Sequence, residues 1–221
     1  MEKLETMQDG GFAATTHLLV VLDRSGSMAN CWSDAIGGLN TFLKEQAQEP
    51  GSATLTLVAF DTHVEIPIDR EPLEKVAGIS GRKFGPRGST ALYDAIGQAV
   101  GRIEPAVADA DRCLVLIITD GFENASREMD KAKTKALIER LQALGNWTFT
   151  YLSASFDAFA DAGTIGVMAT NTRSFSKEAG GTTLAFDSMN LAARRYRGAK
   201  VQQSVDFYAE PPADPDKNDI N

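Results

Sequence analysis

At 221 residues and 43% hydrophobic side chains, the chain is long enough to bury a substantial core as one globular unit. Asp and Glu total 30 against 22 Lys and Arg, a net charge of −8, which argues against general nucleic-acid binding. The absence of a long apolar run and of a signal-peptide core argues against membrane partners and export, and the two cysteines, Cys31 and Cys113, suggest no disulfide framework; a cytoplasmic setting is expected.

The first element is an apolar strand in Leu18 to Met28, LLVVLDRSGSM. It ends in Asp23, Ser25 and Ser27, one carboxylate and two hydroxyls at alternate positions. These are hard oxygen donors of the kind that Mg²⁺ or Mn²⁺ prefers. A helix is predicted from Ser33 to Gln48, with Ile36, Leu39 and Leu43 near helical spacing and Pro50 and Gly51 closing it. Ala53 to Phe60 alternates as a strand, and His63 to Ile68 is its antiparallel partner across Asp61 and Thr62, forming an edge hairpin.

From Asp69 to Ser89 the chain reads mainly as a long loop with room for one helical turn, basic at Arg82, Lys83 and Arg87. It ends in GPRGST, which places Thr90 at the entrance to a helix from Ala91 to Ile103. Cys113 to Gly121, CLVLIITDG, is a second apolar strand, and Asp120 ends it much as Asp23 ends the first. Later elements are a helix from Ser126 to Leu144, a strand from Trp147 to Ser153 and a short helix from Phe156 to Ala162. A weak strand at Gly166 to Thr170 and a helix from Lys177 to Arg197 close the pattern. The cations of RRYRGAK suit a helix C-terminus, with Gly198 as its cap.

Alternating strands and helices predict an α/β fold, a doubly wound, Rossmann-like three-layer sandwich whose central sheet is mostly parallel with one antiparallel edge strand. In such a sheet, carboxylates ending neighbouring strands emerge together at the carboxyl edge, where ligands bind. Asp23, Ser25, Ser27, Thr90 and Asp120 then converge from three segments on one metal ion. After Lys200 the pattern fades. Asp206 to Asn221 holds five acidic residues, one lysine and three prolines, so residues 200–221 read as a flexible acidic tail. Phe207 and Tyr208 would be its anchors if it docks on a partner.

The set DxSxS, Thr and Asp, each in its strand or helix context, resembles the von Willebrand factor A (VWA) domain family and its metal-ion-dependent adhesion site (MIDAS). The resemblance covers roughly residues 15 to 197 and places a VWA domain at 15–199, after an N-terminal segment at 1–14. It implies that Ser25, Ser27 and Thr90 offer hydroxyls to Mg²⁺ (or Mn²⁺), with Asp23 and Asp120 binding directly or through water. It further implies a partner protein that presents an Asp or Glu to the ion, in a role such as intracellular adaptor or assembly factor, for example beside an AAA-type ATPase.

Around that set, Arg24 could face an acidic partner or cover the sheet edge, and Trp32 could be an exposed contact or pack under the metal loop. Arg87 lies in the basic loop beside the ion, and Glu123 could be a sixth ligand or an acceptor behind the ligands. No general base accompanies the motif, since His17 and His63 both read as structural or exposed, so an enzyme is not expected. A Mg²⁺-dependent phosphoryl or nucleotide enzyme is the alternative suggested by the Gly-rich, basic GRKFGPRGST run. That run lacks the lysine of a P-loop, and GxGxxG is absent. A surface adhesin exported without a cleaved signal is a third reading.

Overall fold

The computed structural model describes residues 14–155, 157–175, 181–199 and 206–209. Six strands form one sheet: β1 (Thr16–Asp23), β2 (Ala53–Phe60), β3 (Val64–Pro72), β4 (Arg112–Thr119), β5 (Trp147–Ser153) and β6 (Thr172–Ser174). Five helices cover it: α1 (Trp32–Gln46), α2 (Leu92–Ile103), α3 (Lys131–Ala143), α4 (Ala158–Thr164) and α5 (Gly181–Gly198). The strand order is β3-β2-β1-β4-β5-β6, and only β3 runs antiparallel to its neighbour. This is the expected α/β sandwich with its antiparallel edge.

The apolar run of β1 follows from its place at the centre. A strand covered on both faces has no solvated side to encode, so its apolar residues need not alternate with polar ones. Leu18, Val20 and Leu22 point into a core shared with α1 and α5, while Leu19 and Val21 point into a second core shared with α2 and α3. The chain winds to one side of β1 through β2 and to the other through β4, so a topological switch point lies between β1 and β4. Asp23 and Asp120 leave the sheet on the two sides of that crevice.

Several boundaries differ from the sequence expectation. β3 continues past Ile68 to Pro72, and a 3-10 turn at Leu73–Lys75 follows it. The third helix starts at Lys131, not Ser126. Before it, the Asp94 carboxylate accepts the backbone amides of Arg127, Glu128 and Met129 at 2.8–3.0 Å, which holds that segment as a loop. Asp130 then caps the helix by accepting from the Lys133 amide at 2.9 Å. The last strand forms at Thr172–Ser174 rather than at Gly166 to Thr170, where Ala169–Asn171 makes a 3-10 turn. The predicted start of the last helix at Lys177, that of the short helix at Phe156, and residues 1–13, 200–205 and 210–221 of the predicted terminal segments lie outside the described residues.

Residues 206–209 lie against the body of the fold. Phe207 and Tyr208 are buried in the same core as α1 and α5. The Phe207 amide donates to Asn171 Oδ1 at 2.8 Å, and the Arg173 guanidinium stands 4.7 Å over the Tyr208 ring. The two aromatics expected to anchor a partner-docking tail therefore anchor this segment to its own chain. The cations at the end of α5 are structural as well. Arg197 donates to the carbonyls of Gln46 and Gly51, tying α5 to the end of α1.

Candidate metal centre

At the carboxyl end of β1 the chain leaves the sheet on Asp23, whose side chain is fully buried. Asp23 Oδ1 accepts the Ser25 amide at 2.6 Å, which folds the loop back on itself. Asp23 Oδ2 accepts the hydroxyl of Thr119, the last residue of β4, at 2.6 Å. Ser25 Oγ and Ser27 Oγ lie 3.0 Å apart, and Ser27 Oγ donates to Asp120 Oδ1 at 2.6 Å. The DxSxS loop and the residue after β4 thus form one hydrogen-bonded cluster.

Thr90 enters this cluster just before α2. Its backbone is fixed from the far side: the Thr90 amide donates to Asn124 Oδ1 at 2.9 Å, and its carbonyl accepts the amides of Asn124 and Ala125. Gly121 locates the centre. A Cβ built on it would stand 3.0 Å from Ser27 Oγ, 3.2 Å from Thr90 Oγ1 and 3.7 Å from Asp23 Oδ2. Glycine here leaves open a space that three of the five predicted ligand residues ring. The fit to a hard divalent cation is good, because the three atoms nearest that position are all side-chain oxygens. Among the described residues, no group of three or more His, Cys, Asp or Glu side chains forms an alternative cage.

The electrostatics agree with this chemistry. Burial pushes the Asp23 carboxyl up to about 6, against the lowering effects of the Thr119 and Ser25 hydrogen bonds, and the Asp120 charge pushes it further the same way. Among the described residues, the leading influences on Asp23 include no cation. A divalent ion would supply the missing positive charge.

The four side chains expected at a partner surface have different fates. Arg24 is buried, with its guanidinium on Glu65 at 2.6 and 3.3 Å, so it covers the sheet edge and does not face outward. Trp32 is buried and packs against the loop between β3 and α2, donating from Nε1 to the Gly81 carbonyl at 2.9 Å. Of the two alternatives that the sequence leaves open for each, burial leaves the sheet-edge role for Arg24 and the packing role for Trp32. Arg87 stays exposed while bonding Asp61 at 2.8 Å and Glu65 at 3.0 Å. Glu123 is an acceptor behind the ligands. Its carboxylate takes the amides of Tyr93, Ala125 and Ser126 and the Ser126 hydroxyl at 2.7–2.9 Å, which joins the loop after β4 to the first turn of α2.

Sequence reasoning passed over Thr119, Gly121, Asn124 and Phe122. The first two stand inside the TDG string itself, and Asn124 stands four residues after Asp120. Phe122 is 60% exposed next to Gly121, with a cavity of about 120 Å³ behind it lined by Tyr93, Tyr151 and Asp161. Phe122 is thus a large exposed aromatic beside the gap, whereas Trp32 is buried.

Residues 18–123 match the von Willebrand factor type A domain. This VWA match begins in β1 and ends at Glu123, so all five predicted ligands fall inside it. No curated protein matches the chain. Among solved structures, proximal thread matrix protein 1 from the mussel byssus, with a zinc-occupied MIDAS motif, superposes with a TM-score of 0.61 at 12% identity. That likeness covers 82% of this chain and 46% of the mussel protein. A von Willebrand factor type A protein from Catenulispora acidiphila gives a TM-score of 0.57 at 15% identity, covering 82% of this chain and 43% of its own. The manganese-loaded TRAP protein of Plasmodium vivax gives 0.56 at 16% identity, covering 79% and 73%. These likenesses are of fold. The chain spans less than half the length of the mussel protein. No described helix is long and apolar enough to cross a membrane.

Proposed function

We propose that this chain is a VWA-type binding module that holds a divalent cation, Mg²⁺ or Mn²⁺, on Asp23, Ser25, Ser27, Thr90 and Asp120. The cation takes an Asp or Glu side chain of a partner protein. The observation that carries the reading is the gap at Gly121, ringed by Ser27, Thr90 and Asp23 oxygens at 3.0–3.7 Å from the missing Cβ. Two carboxylates come close to balancing a divalent charge, and the three hydroxyls add none. The bound ion therefore remains attractive to a further carboxylate from outside. Zinc and manganese in two proteins of this fold add support by analogy.

Binding is favoured over catalysis by where the imidazoles lie. His17 is at the opposite end of β1 from Asp23, engaged with Thr54 and Asp111, and the His63 side chain is 81% exposed. Neither imidazole is hydrogen-bonded to a ligand residue among the described residues. Phe122, exposed beside the gap, gives the partner apolar area to cover, and Arg87, exposed while ion-paired with Asp61 and Glu65, extends that rim. An intracellular adaptor or assembly role fits the acidic, cysteine-poor chain.

The test is a calorimetric titration of wild type and Asp23→Ala with Mn²⁺ and Mg²⁺, followed by capture from native lysate with Mg²⁺ or with EDTA. A cation bound only by wild type, and a partner retained only when it is bound, are the expected results. Failure of wild type to bind either ion at millimolar concentration would sink the reading.

A further inference from the structure

Asp61 is not among the cation's oxygen donors, yet its carboxylate is where the two loops that supply four of them meet. It follows the last residue of β2, and Phe60 pairs in register with Asp23, so Asp61 leaves the sheet at the same rim. Its Oδ2 lies 2.8 Å from Arg87 Nε and 3.0 Å from Arg24 Nε, while Oδ1 accepts the His63 amide at 2.8 Å. Its backbone carbonyl accepts the Ala91 amide at 2.9 Å, directly after Thr90. Glu65, on β3, closes the arrangement by accepting from both Arg24 and Arg87.

The main chains that these ions hold together are also joined directly. The Arg87 amide donates to the Arg24 carbonyl at 2.8 Å, and the Gly26 amide donates to the Gly88 carbonyl at 3.1 Å. Gly88 has φ +67, and a Cβ there would stand 2.8 Å from Thr62 Oγ1, so the Thr90 loop lies tight against the turn that Asp61 begins. The Asp23–Ser27 segment and the Arg87–Thr90 segment are therefore pinned to each other over the Asp61 carboxylate. Charge matters as well as position. Arg24 stands between two ligand residues in sequence and is 2% exposed. An uncompensated guanidinium there would repel the incoming cation.

We propose that Asp61 is a positioning residue of the cation site: it fixes the spacing between the Ser25–Ser27 hydroxyls and Thr90 through Arg24 and Arg87, and it neutralises Arg24 so that the ion meets the field of Asp23 and Asp120. This rests on the cation reading given above. Burial raises the Asp61 carboxyl, but the Arg87 hydrogen bond, the His63 amide and the Arg24 charge outweigh it and hold the group below the usual carboxylate range. It therefore carries its charge at neutral pH.

The test is a Mn²⁺ titration of the full chain, read by the electron paramagnetic resonance signal of free Mn²⁺. Wild type is compared with Asp61→Asn, Arg87→Gln, the double variant and Asp23→Ala, each first checked for a cooperative melt without metal. Asp61→Asn is expected to weaken Mn²⁺ about tenfold and Arg87→Gln about threefold, with the double variant no weaker than Asp61→Asn, since both changes break one link. A merely structural Asp61 would lower the metal-free melting temperature and leave the affinity of the folded protein unchanged. Folded Asp61→Asn binding within twofold of wild type, while Asp23→Ala does not bind, overturns the proposal and leaves the cation site standing. If Asp61→Asn does not fold, Arg87→Gln decides, and wild-type affinity in it is equally fatal. Wild type that binds no Mn²⁺ overturns both.

Discussion

Two aspartates leave this sheet side by side, and their surroundings could hardly differ more. Asp23 follows the apolar run of β1 and is met by a threonine hydroxyl, a serine amide and a second acid, so that burial raises its carboxyl to about 6. Asp61 follows β2, one strand over, and is met by two guanidiniums and an amide that keep it ionised. Both are 2% exposed or less. A buried carboxylate provided with cations by its own chain is finished as a scaffold. One provided with neutral donors and another carboxylate has no positive charge beside it, so a proton or a bound cation is favoured there. The rim thus divides into a part that is electrostatically complete and a part that is not.

Asp23→Ala tests the incomplete half most severely. It removes one of two anionic donors, and we expect at least a hundredfold loss of Mn²⁺ affinity by calorimetry, about 2.7 kcal/mol. The cation-free fold should survive with an unchanged circular dichroism spectrum and no loss of melting temperature, because the variant also removes a carboxylate that is costly to ionise. An unfolded variant would mean that Asp23 is structural in the way Asp61 is, and the contrast would collapse.

Filling the gap is the next largest change. Gly121→Ala puts a methyl 3.0 Å from Ser27 Oγ and 3.2 Å from Thr90 Oγ1, and a Mn²⁺ affinity about tenfold lower is expected, about 1.4 kcal/mol. Crystals of that variant soaked in Mn²⁺ would check the position directly, since ion density undisturbed beside the added methyl is incompatible with this centre.

Protons should compete with the cation at Asp23. A carboxyl raised from 3.8 to about 6 is mostly ionised at pH 7 and mostly protonated at pH 5, so affinity should fall about tenfold over that interval. Without metal the sign reverses. The native state binds the proton more tightly than the unfolded chain does, so stability rises as pH falls from 7 towards 4, by an amount on the order of 3 kcal/mol from this group. Melts at several pH values, with and without Mn²⁺, would show opposite slopes. Parallel slopes would remove Asp23 from the account.

The smallest effect separates packing from contact. Trp32→Phe loses the bond to the Gly81 carbonyl and should cost about 1 kcal/mol of stability while leaving partner affinity within twofold. Phe122→Ala should do the reverse, and a competition assay against captured partner would tell the two apart.

Much of this was readable along the chain. The strands Ala53–Phe60 and Trp147–Ser153 have the limits that their β-rich runs imply. The residues of DxSxS and TDG are gathered at one rim because two neighbouring parallel strands, β1 and β4, deliver them there, and GST joins them from the loop before α2, held to the turn after β2 and to Asn124. Harder to read were features that depend on a distant group. The start of α3 was obscured because Asp94, over thirty residues earlier, takes the amides that a helix would have used. The last strand was misplaced because three residues carry almost no pattern. Phe207 and Tyr208 stand in a polar, acidic stretch, and composition alone could not reveal an aromatic slot beside Tyr196 and Arg173.

The sequence by itself determined the order of strands and helices, the two-faced burial of β1 and the kinds of donor available to a cation, because periodicity and residue chemistry are local properties. Only the tertiary structure decided which polar groups near those donors are spent and which remain available. Arg24 and Trp32 lie as close in sequence to the ligands as any contact residue would, yet one is consumed by Glu65 and Asp61 and the other by Gly81. The reason is physical: a buried polar group must find its partner wherever the fold brings one, and that choice is made by neighbours in space.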